Sequence, residues 1–333
     1  MKTLVITKQN SVYEKPLTLV ELPKPYPKDN EVLIKINCCA LCHTDLHIIE
    51  GELPLKRNPI VLGHQVIGTV ENKGINTCRL NAGDRVGVAW LNSTCGSCYF
   101  CKTGRENLCP DAKFTGYDVN GGLAEYITIG EDYVYPIPDG LSDVEAAPLL
   151  CAGIIGYRAL KFTGVERGQR LGIYGFGASA HVTIQVASYQ GMEVYVFSRG
   201  VEHRRLAARL GAVWTGVYDD EPEFKMDGSI IFTPTGDMVP VALENLQYGG
   251  TAVLAGIHMS DVPVLNYERH LYHEKVLRTV AASTRRDGID LINIAAKVPI
   301  RTEVRLFGLN EANEAFVMLK KRKINGAAVL KIR

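Results

Sequence analysis

Four cysteines within fifteen residues, Cys95, Cys98, Cys101 and Cys109, constrain this chain more than any other feature. Thiolates at spacings of x2, x2 and x7 close a tetrahedral shell around Zn2+, and Gly96, Gly104 and Pro110 let the backbone curl around it. Such a site has no open coordination position, so it stabilises a loop and performs no chemistry; residues 91–110 are expected to form a structural zinc lobe. Free or disulfide-bonded cysteines are the alternative. The total of nine cysteines in 333 residues is odd, and MKTLVITKQN carries no apolar leader, which argues against a disulfide framework. A zinc ribbon for nucleic acid is the other alternative. Lys+Arg at 37 against Asp+Glu at 36 leaves no basic surplus to neutralise a phosphate backbone, so no nucleic-acid partner is expected.

The rest of the chain suits two domains. Up to about residue 150 it is rich in Pro, Gly and strand-length apolar runs: Glu31–Ile36, Val66–Val70, Arg85–Ala89 and Ala124–Ile129. Gly121-Gly122 stands among the turn signals between them, and the segment reads as β-rich and antiparallel. From about residue 152 strands and helices alternate: Leu171–Phe176, helix Ala178–Tyr189, Val194–Phe197 and helix Glu202–Leu210. Ser229–Phe232, Ala252–Leu254 and Thr279–Ala282 are further strand candidates, which together imply a doubly wound parallel sheet. A helix near Glu311–Lys321 and a strand at Ala328–Ile332 finish a tail that pattern alone assigns to neither domain. The longest stretch free of Asp, Glu, Lys and Arg, Leu171–Met192, carries His181, Gln185, Gln190 and four glycines. It is too polar to span a bilayer, so a cytoplasmic protein with no membrane partner is expected.

Within the alternating segment, Gly175-Phe176-Gly177-Ala178-Ser179-Ala180 fits G-x-G-x-x-A between an apolar strand and a helix. The glycines permit a tight turn and close backbone approach, so a dinucleotide pyrophosphate can meet the helix N-terminus; a strand-to-helix turn without ligand is the alternative. Ser198 and Arg199 end the second strand, where NAD enzymes carry an acid for the ribose hydroxyls. Serine does not repel a 2′-phosphate and a guanidinium pairs with one, so NADP(H) is expected over NAD(H). His203, Arg204 and Arg205 lie just beyond, on what reads more readily as a solvated helix face.

Cys42-His43-Thr44-Asp45-Leu46-His47, Gly63-His64-Gln65 and the isolated Cys151 gather ligand-type side chains. Spacing alone leaves an open metal site and ordinary buried residues equally available. In order along the chain stand CHTDLH at 42–47, GHQVIG at 63–68, GDRV at 83–86 and CGSCYFCKTGRENLC at 95–109. LCAGIIGYRAL at 150–160 and YGFGASA at 174–180 follow, and with them the chain resembles the medium-chain zinc-dependent alcohol dehydrogenases, of the microbial, ethanol-type branch, over nearly its full length.

The resemblance implies a GroES-like catalytic domain over 1–151 and 286–333, a Rossmann dinucleotide-binding domain over 152–285, and a site in the cleft between them. It implies that Cys42, His64 and Cys151 hold a catalytic zinc with a fourth position open, making two zinc ions per chain. Asp45 would fix the tautomer of His64, Thr44 would hydrogen-bond the alkoxide, and His47 would end a proton relay at the surface. His43 matches a pyrophosphate contact, and Ala255-Gly256-Ile257 a strand end that faces the nicotinamide carboxamide. Trp90 and Leu91 match a pocket wall, while Leu53 stands where that branch carries a second tryptophan, which leaves more room. Trp90 and Leu53 read equally as core residues.

The implied reaction is hydride transfer between NAD(P)(H) and a small-to-medium primary alcohol or aldehyde, by a homodimer or homotetramer. A reductase for larger aldehydes or polyols, and a non-catalytic nucleotide-binding protein on the same fold, are the alternatives. Two positions depart from the family. Gln65 replaces a frequent Glu, which leaves the metal site more electropositive, and Ala327 replaces an arginine that contacts the cofactor phosphates. Cys38, Cys39 and Cys78 are expected to be buried structural thiols.

Overall fold

The structure is a computed structural model that describes residues 1–298 and 300–333. The chain divides into two units, Met1–Cys151 with Ser283–Arg333, and Ala152–Ala282. The return to the first unit comes at Ser283 rather than 286 because Thr284 already caps the helix Arg285–Ala295. The Asp287 carboxylate accepts from Thr284 N at 3.0 Å, and Thr284 Oγ1 accepts from Asp287 N at 3.2 Å, satisfying two orphan donors at the helix start.

The first unit is built on the strand Glu31–Ala40, four residues longer than the apolar run suggests. It is buried at seven of its ten positions, because it pairs antiparallel with Val66–Lys73, with Tyr126–Gly130 and, at its C-terminal end, with Ala327–Lys331. Arg85–Val88 extends the sheet on one side, followed by Val134–Pro136, and Val304–Gly308 closes the other side in parallel with Ala327–Lys331. Gly121-Gly122 proves to be more than a turn. The segment runs against residues 61–63, with Gly121 N donating to Val61 O at 2.7 Å and Gly122 N to Gly63 O at 2.8 Å. A Cβ at Gly121 would come within 2.2 Å of the Gly63 carbonyl oxygen, so only glycine permits the approach. Cys38 and Cys39 are buried as expected, but Cys78 is exposed and its backbone N–H donates to Glu131 Oε1.

The second unit carries a six-stranded, all-parallel sheet. Its order is Ala212–Gly216, Glu193–Phe197, Arg170–Tyr174, Met226–Ile231, Leu246–Leu254, Val276–Thr279. Apolar runs buried on both faces are what a parallel sheet requires. Tyr174 and Phe197 stack at a 4.3 Å centroid distance in its core. The last strand lies at Val276–Thr279, not Thr279–Ala282, because Ala282 takes a left-handed φ of 52° that no strand continues through. Ala212–Gly216 was not anticipated; an edge strand with only one fully buried residue shows little hydrophobic periodicity. Among the described residues no helix is long and apolar enough to cross a membrane.

Candidate metal and cofactor site

Cys42 is the N-cap of the helix His43–Glu50, and that role aims its thiol. Its Sγ accepts from Thr44 N at 3.4 Å while its own N–H donates to Asp45 Oδ2 at 3.1 Å, a capping box with a cysteine in the serine position. Asp45 is fully buried, and its other oxygen accepts from Gly63 N at 3.0 Å and lies 3.3 Å from His64 Nδ1. The same carboxylate therefore ties the two sequence motifs together. Cys151 follows the short turn Ala147–Leu150 and leaves helical geometry for one residue, at φ −133°, before the helix Ala152–Thr163 begins. Its Sγ reaches 3.9 Å from Cys42 Sγ.

Donor atoms of Cys42, His64 and Cys151 all lie within 4.8 Å of one another. His64 Nε2 is buried with no hydrogen-bond partner, an expense of a kind proteins avoid unless a ligand takes the lone pair. Two sulfurs and an imidazole nitrogen form the soft, borderline donor set that suits Zn2+, so the residues fit a zinc ion. The hydrogen bond from Cys151, followed by His64, holds the Cys42 thiol well below its usual range, while the same bond and then burial push Cys151 up. Burial alone would push the His64 imidazole down, but the Asp45 carboxylate and Cys42 outweigh it and raise it to about 10.

Thr44 is buried, with Oγ1 at 3.5 Å from Cys42 Sγ. Gln65 is buried as well, and its carbonyl accepts from Ala40 N at 2.9 Å. Trp90 is only 9% exposed and packs edge-on to the His64 ring at 4.6 Å. Phe114 and Tyr117 stack on it at 5.1 and 5.9 Å, an aromatic group that sequence spacing did not reveal because it joins two strands through a loop. Leu91 is buried and pairs with Phe114 in the strand Leu91–Ser93, so it is core; Leu53 is half-buried. His43 is the first residue of the helix and exposed. His47 Nδ1 meets the carboxylate of Glu52, a residue with no signature of its own in the sequence.

The four remaining ligand-type cysteines also converge. The sulfurs of Cys95, Cys98, Cys101 and Cys109 lie within 4.8 Å of one another, with Cys98–Cys101 at 3.6 Å and Cys109–Cys95 at 3.5 Å. Backbone N–H groups of Ser97 and Cys98 bring the Cys95 thiol down to about 6, favouring the thiolate that a metal needs.

In the second unit, Gly175 turns the chain at φ +88° and donates its N–H to Phe197 O at 2.8 Å. The turn is thereby fixed beside the strand end that carries Ser198. Gly177 caps the helix Ala178–Tyr189, and a Cβ there would meet nothing within 4 Å. That empty space over a helix N-terminus fits a pyrophosphate. Phe176 is buried, and Ala178 and Ser179 form the first helical turn. Ser198 is buried too, with its N–H donating to Gly216 O. Arg199 is exposed, with its guanidinium 5.8 Å from the Tyr218 ring centre. Arg204 Nη1 donates to the carbonyls of Ser198 and Arg199 at 2.6 and 2.9 Å, so it braces this loop from within. Ala255 N bonds to Ile231 O, Gly256 follows, and Ile257 is half exposed. Ala327 lies buried in its strand, opposite Val304.

Residues 28–139 match the alcohol dehydrogenase GroES-like domain. The chain is 44% identical over 322 residues to "Probable alcohol dehydrogenase AdhA" of Mycobacterium tuberculosis, covering 95% of this chain and 93% of that one. It is 37% identical to an alcohol dehydrogenase of Geobacillus stearothermophilus, covering 96% and 97%. A cinnamyl alcohol dehydrogenase from Sorghum bicolor superposes with a TM-score of 0.90 at 26% identity, covering 99% and 97%. With matches of that length and identity, the chain is an oxidoreductase belonging to the medium-chain zinc-dependent alcohol dehydrogenase family.

Proposed function

We propose that this protein is a zinc-dependent alcohol dehydrogenase that moves a hydride between NADP(H), in preference to NAD(H), and a small-to-medium primary alcohol or aldehyde. The observation that carries the proposal is the convergence of Cys42, His64 and Cys151, with a buried, unpartnered His64 Nε2 among them. Zinc bound there supplies a Lewis acid, easing loss of the alcohol proton and polarising an aldehyde carbonyl. Cys95, Cys98, Cys101 and Cys109 would hold a second, structural ion.

The surrounding side chains have definable tasks. Asp45 keeps the proton on His64 Nδ1 and so leaves Nε2 as the donor. Thr44 Oγ1, beside Cys42 Sγ, offers a hydroxyl to the alcohol oxygen. His47 exchanges a proton with solvent from the following turns of the same helix. The edge of Trp90 against His64 limits the width available to a substrate, and Leu53 leaves room beyond it. On the cofactor side, Gly175 to Ser179 cradle phosphates, and Ser198 with Arg199 favours a 2′-phosphate over free ribose hydroxyls.

The test is kcat/KM for NADPH and for NADH with a short aldehyde, on protein of confirmed zinc content. A preference for NADPH of about tenfold or more, the worth of one charge-assisted contact, is the expected outcome. Equal efficiency or a preference for NADH removes the Ser198–Arg199 assignment. A second reading, a reductase for larger aldehydes, draws on the superposition with the cinnamyl alcohol dehydrogenase. Turnover of an aryl-conjugated aldehyde but of no short one would favour it.

A further inference from the structure

The helix that presents Cys42, Thr44 and His47 ends in a turn that holds an acid against one of its own residues. Gly51 takes φ +86°, where only glycine avoids a Cβ penalty, and its N–H donates to Ile48 O. The reversal brings Leu53 N to His47 O at 3.1 Å. Gln9, from the N-terminal segment, clamps the result: its Nε2 donates to both Ile48 O and Leu53 O at 2.6 Å. Glu52 stands between these fixed points, and its carboxylate meets His47 Nδ1. An ionised carboxylate only accepts, so Nδ1 is the nitrogen that carries the proton. The side chains of His47 and Glu52 are 16% and 43% exposed, so water reaches the pair. It repeats, at the solvent end of the helix, the arrangement of Asp45 with His64 at its buried end.

We infer that Glu52 is a positioning residue for His47, its carboxylate holding the Nδ1 proton and leaving the Nε2 lone pair as the one ring position that takes up a proton. The inference rests on the proton-exchange role proposed above for His47. A proton released by alcohol oxidation forms an N–H bond at Nε2, and the resulting imidazolium is balanced by the Glu52 carboxylate. The same N–H bond then breaks to a solvent water. No electrons change hands in this step. A second contribution is orientation, since a ring held at Nδ1 does not rotate freely about χ2.

The test uses the full-length, zinc-loaded protein with 15N-labelled histidine, in wild-type form and as Glu52→Ala, Glu52→Gln and His47→Gln. The imidazole nitrogen shifts report the His47 tautomer, identified by the signal that His47→Gln removes. Wild type is expected to hold the Nδ1–H form and Glu52→Ala to lose it. Glu52→Gln, whose amide oxygen still accepts, is expected to keep it. In parallel, kcat for alcohol oxidation is expected to fall about tenfold in Glu52→Ala, less than the full worth of a positioned proton acceptor. A sterically hindered pyridine buffer, which accepts protons but is too bulky to reach a metal position, should restore part of it. A merely structural helix end would show neither the tautomer change nor the buffer rescue. The Nδ1–H form persisting in Glu52→Ala, or an Nε2–H form in wild type, overturns the role of Glu52. An unchanged kcat in His47→Gln overturns instead the proton-exchange role on which it rests.

Discussion

At the scale of single residues, Asp45 does the most with one side chain. It caps Cys42, accepts from Gly63 and sits against His64, so three parts of the site depend on one buried carboxylate. Asn in its place keeps one acceptor oxygen but loses the second, along with the negative charge that lies against His64. Asp45→Asn is expected to weaken zinc retention about ten- to a hundredfold, measured by competition with a chromogenic chelator. An unchanged affinity would mean that Asp45 only holds the backbone. Trp90 is a second case. The family resemblance left it between pocket wall and core, and the structure finds it almost wholly packed, with one edge on the imidazole of His64. Its aromatic neighbours Phe114 and Tyr117 come from residues far along the chain, beyond the reach of any local pattern.

At the scale of elements, the strand-turn-helix around residue 175 separates two glycines that look alike in a motif. Gly175 has φ +88°, and a Cβ would come within 2.8 Å of the Thr233 methyl. Gly177 has ordinary negative φ, and its Cβ direction is open. Gly175→Ala is therefore expected to cost about 2 kcal/mol of stability, seen as a lowered Tm. Gly177→Ala should leave Tm nearly unchanged and instead raise KM for the nicotinamide nucleotide, because the methyl occupies the space over the helix N-terminus. Equal thermal effects from both would break that distinction. The helix itself was legible to the residue, Ala178–Tyr189, since its apolar period and its glycine boundary agree. Strand ends were less so. Glu31–Ala40 outran its apolar signal because three partner strands, not its own composition, decide where it stops.

At the scale of the whole molecule, the four-ligand and three-ligand clusters have different proposed roles, and their loss should look different. The lobe around Cys95 to Cys109 has scant apolar burial of its own, with Leu91 and Cys109 its main buried members. Glu106 ties it to Arg285 at the start of the later helix, Oε1 accepting from the backbone N–H at 3.0 Å. A metal ion held there would be its chief source of order. Cys101→Ser is expected to reduce bound zinc to one ion per chain and to open the lobe to limited proteolysis. Cys42→Ser should remove the other ion and abolish turnover while the lobe stays protease-resistant. Zinc analysis and peptide mapping of the two variants distinguish the sites; the same cleavage pattern in both would show that the clusters are not independent.

What the sequence by itself determined was local chemistry. The four clustered cysteines and the glycine turn between an apolar strand and a helix were readable, because each depends on residue type and short spacing, whereas Cys42, His64 and Cys151 were singled out only by the family resemblance. Tertiary structure alone decided which distant residues meet. It set Gly121 against Gly63, Phe114 and Tyr117 against Trp90, and Gln9 across the turn that delivers Glu52 to His47. Those contacts arise from sheet register and close backbone packing, which depend on many partners at once. A linear pattern records the requirements of its own few residues, and carries no trace of a neighbour that arrives from tens of residues away.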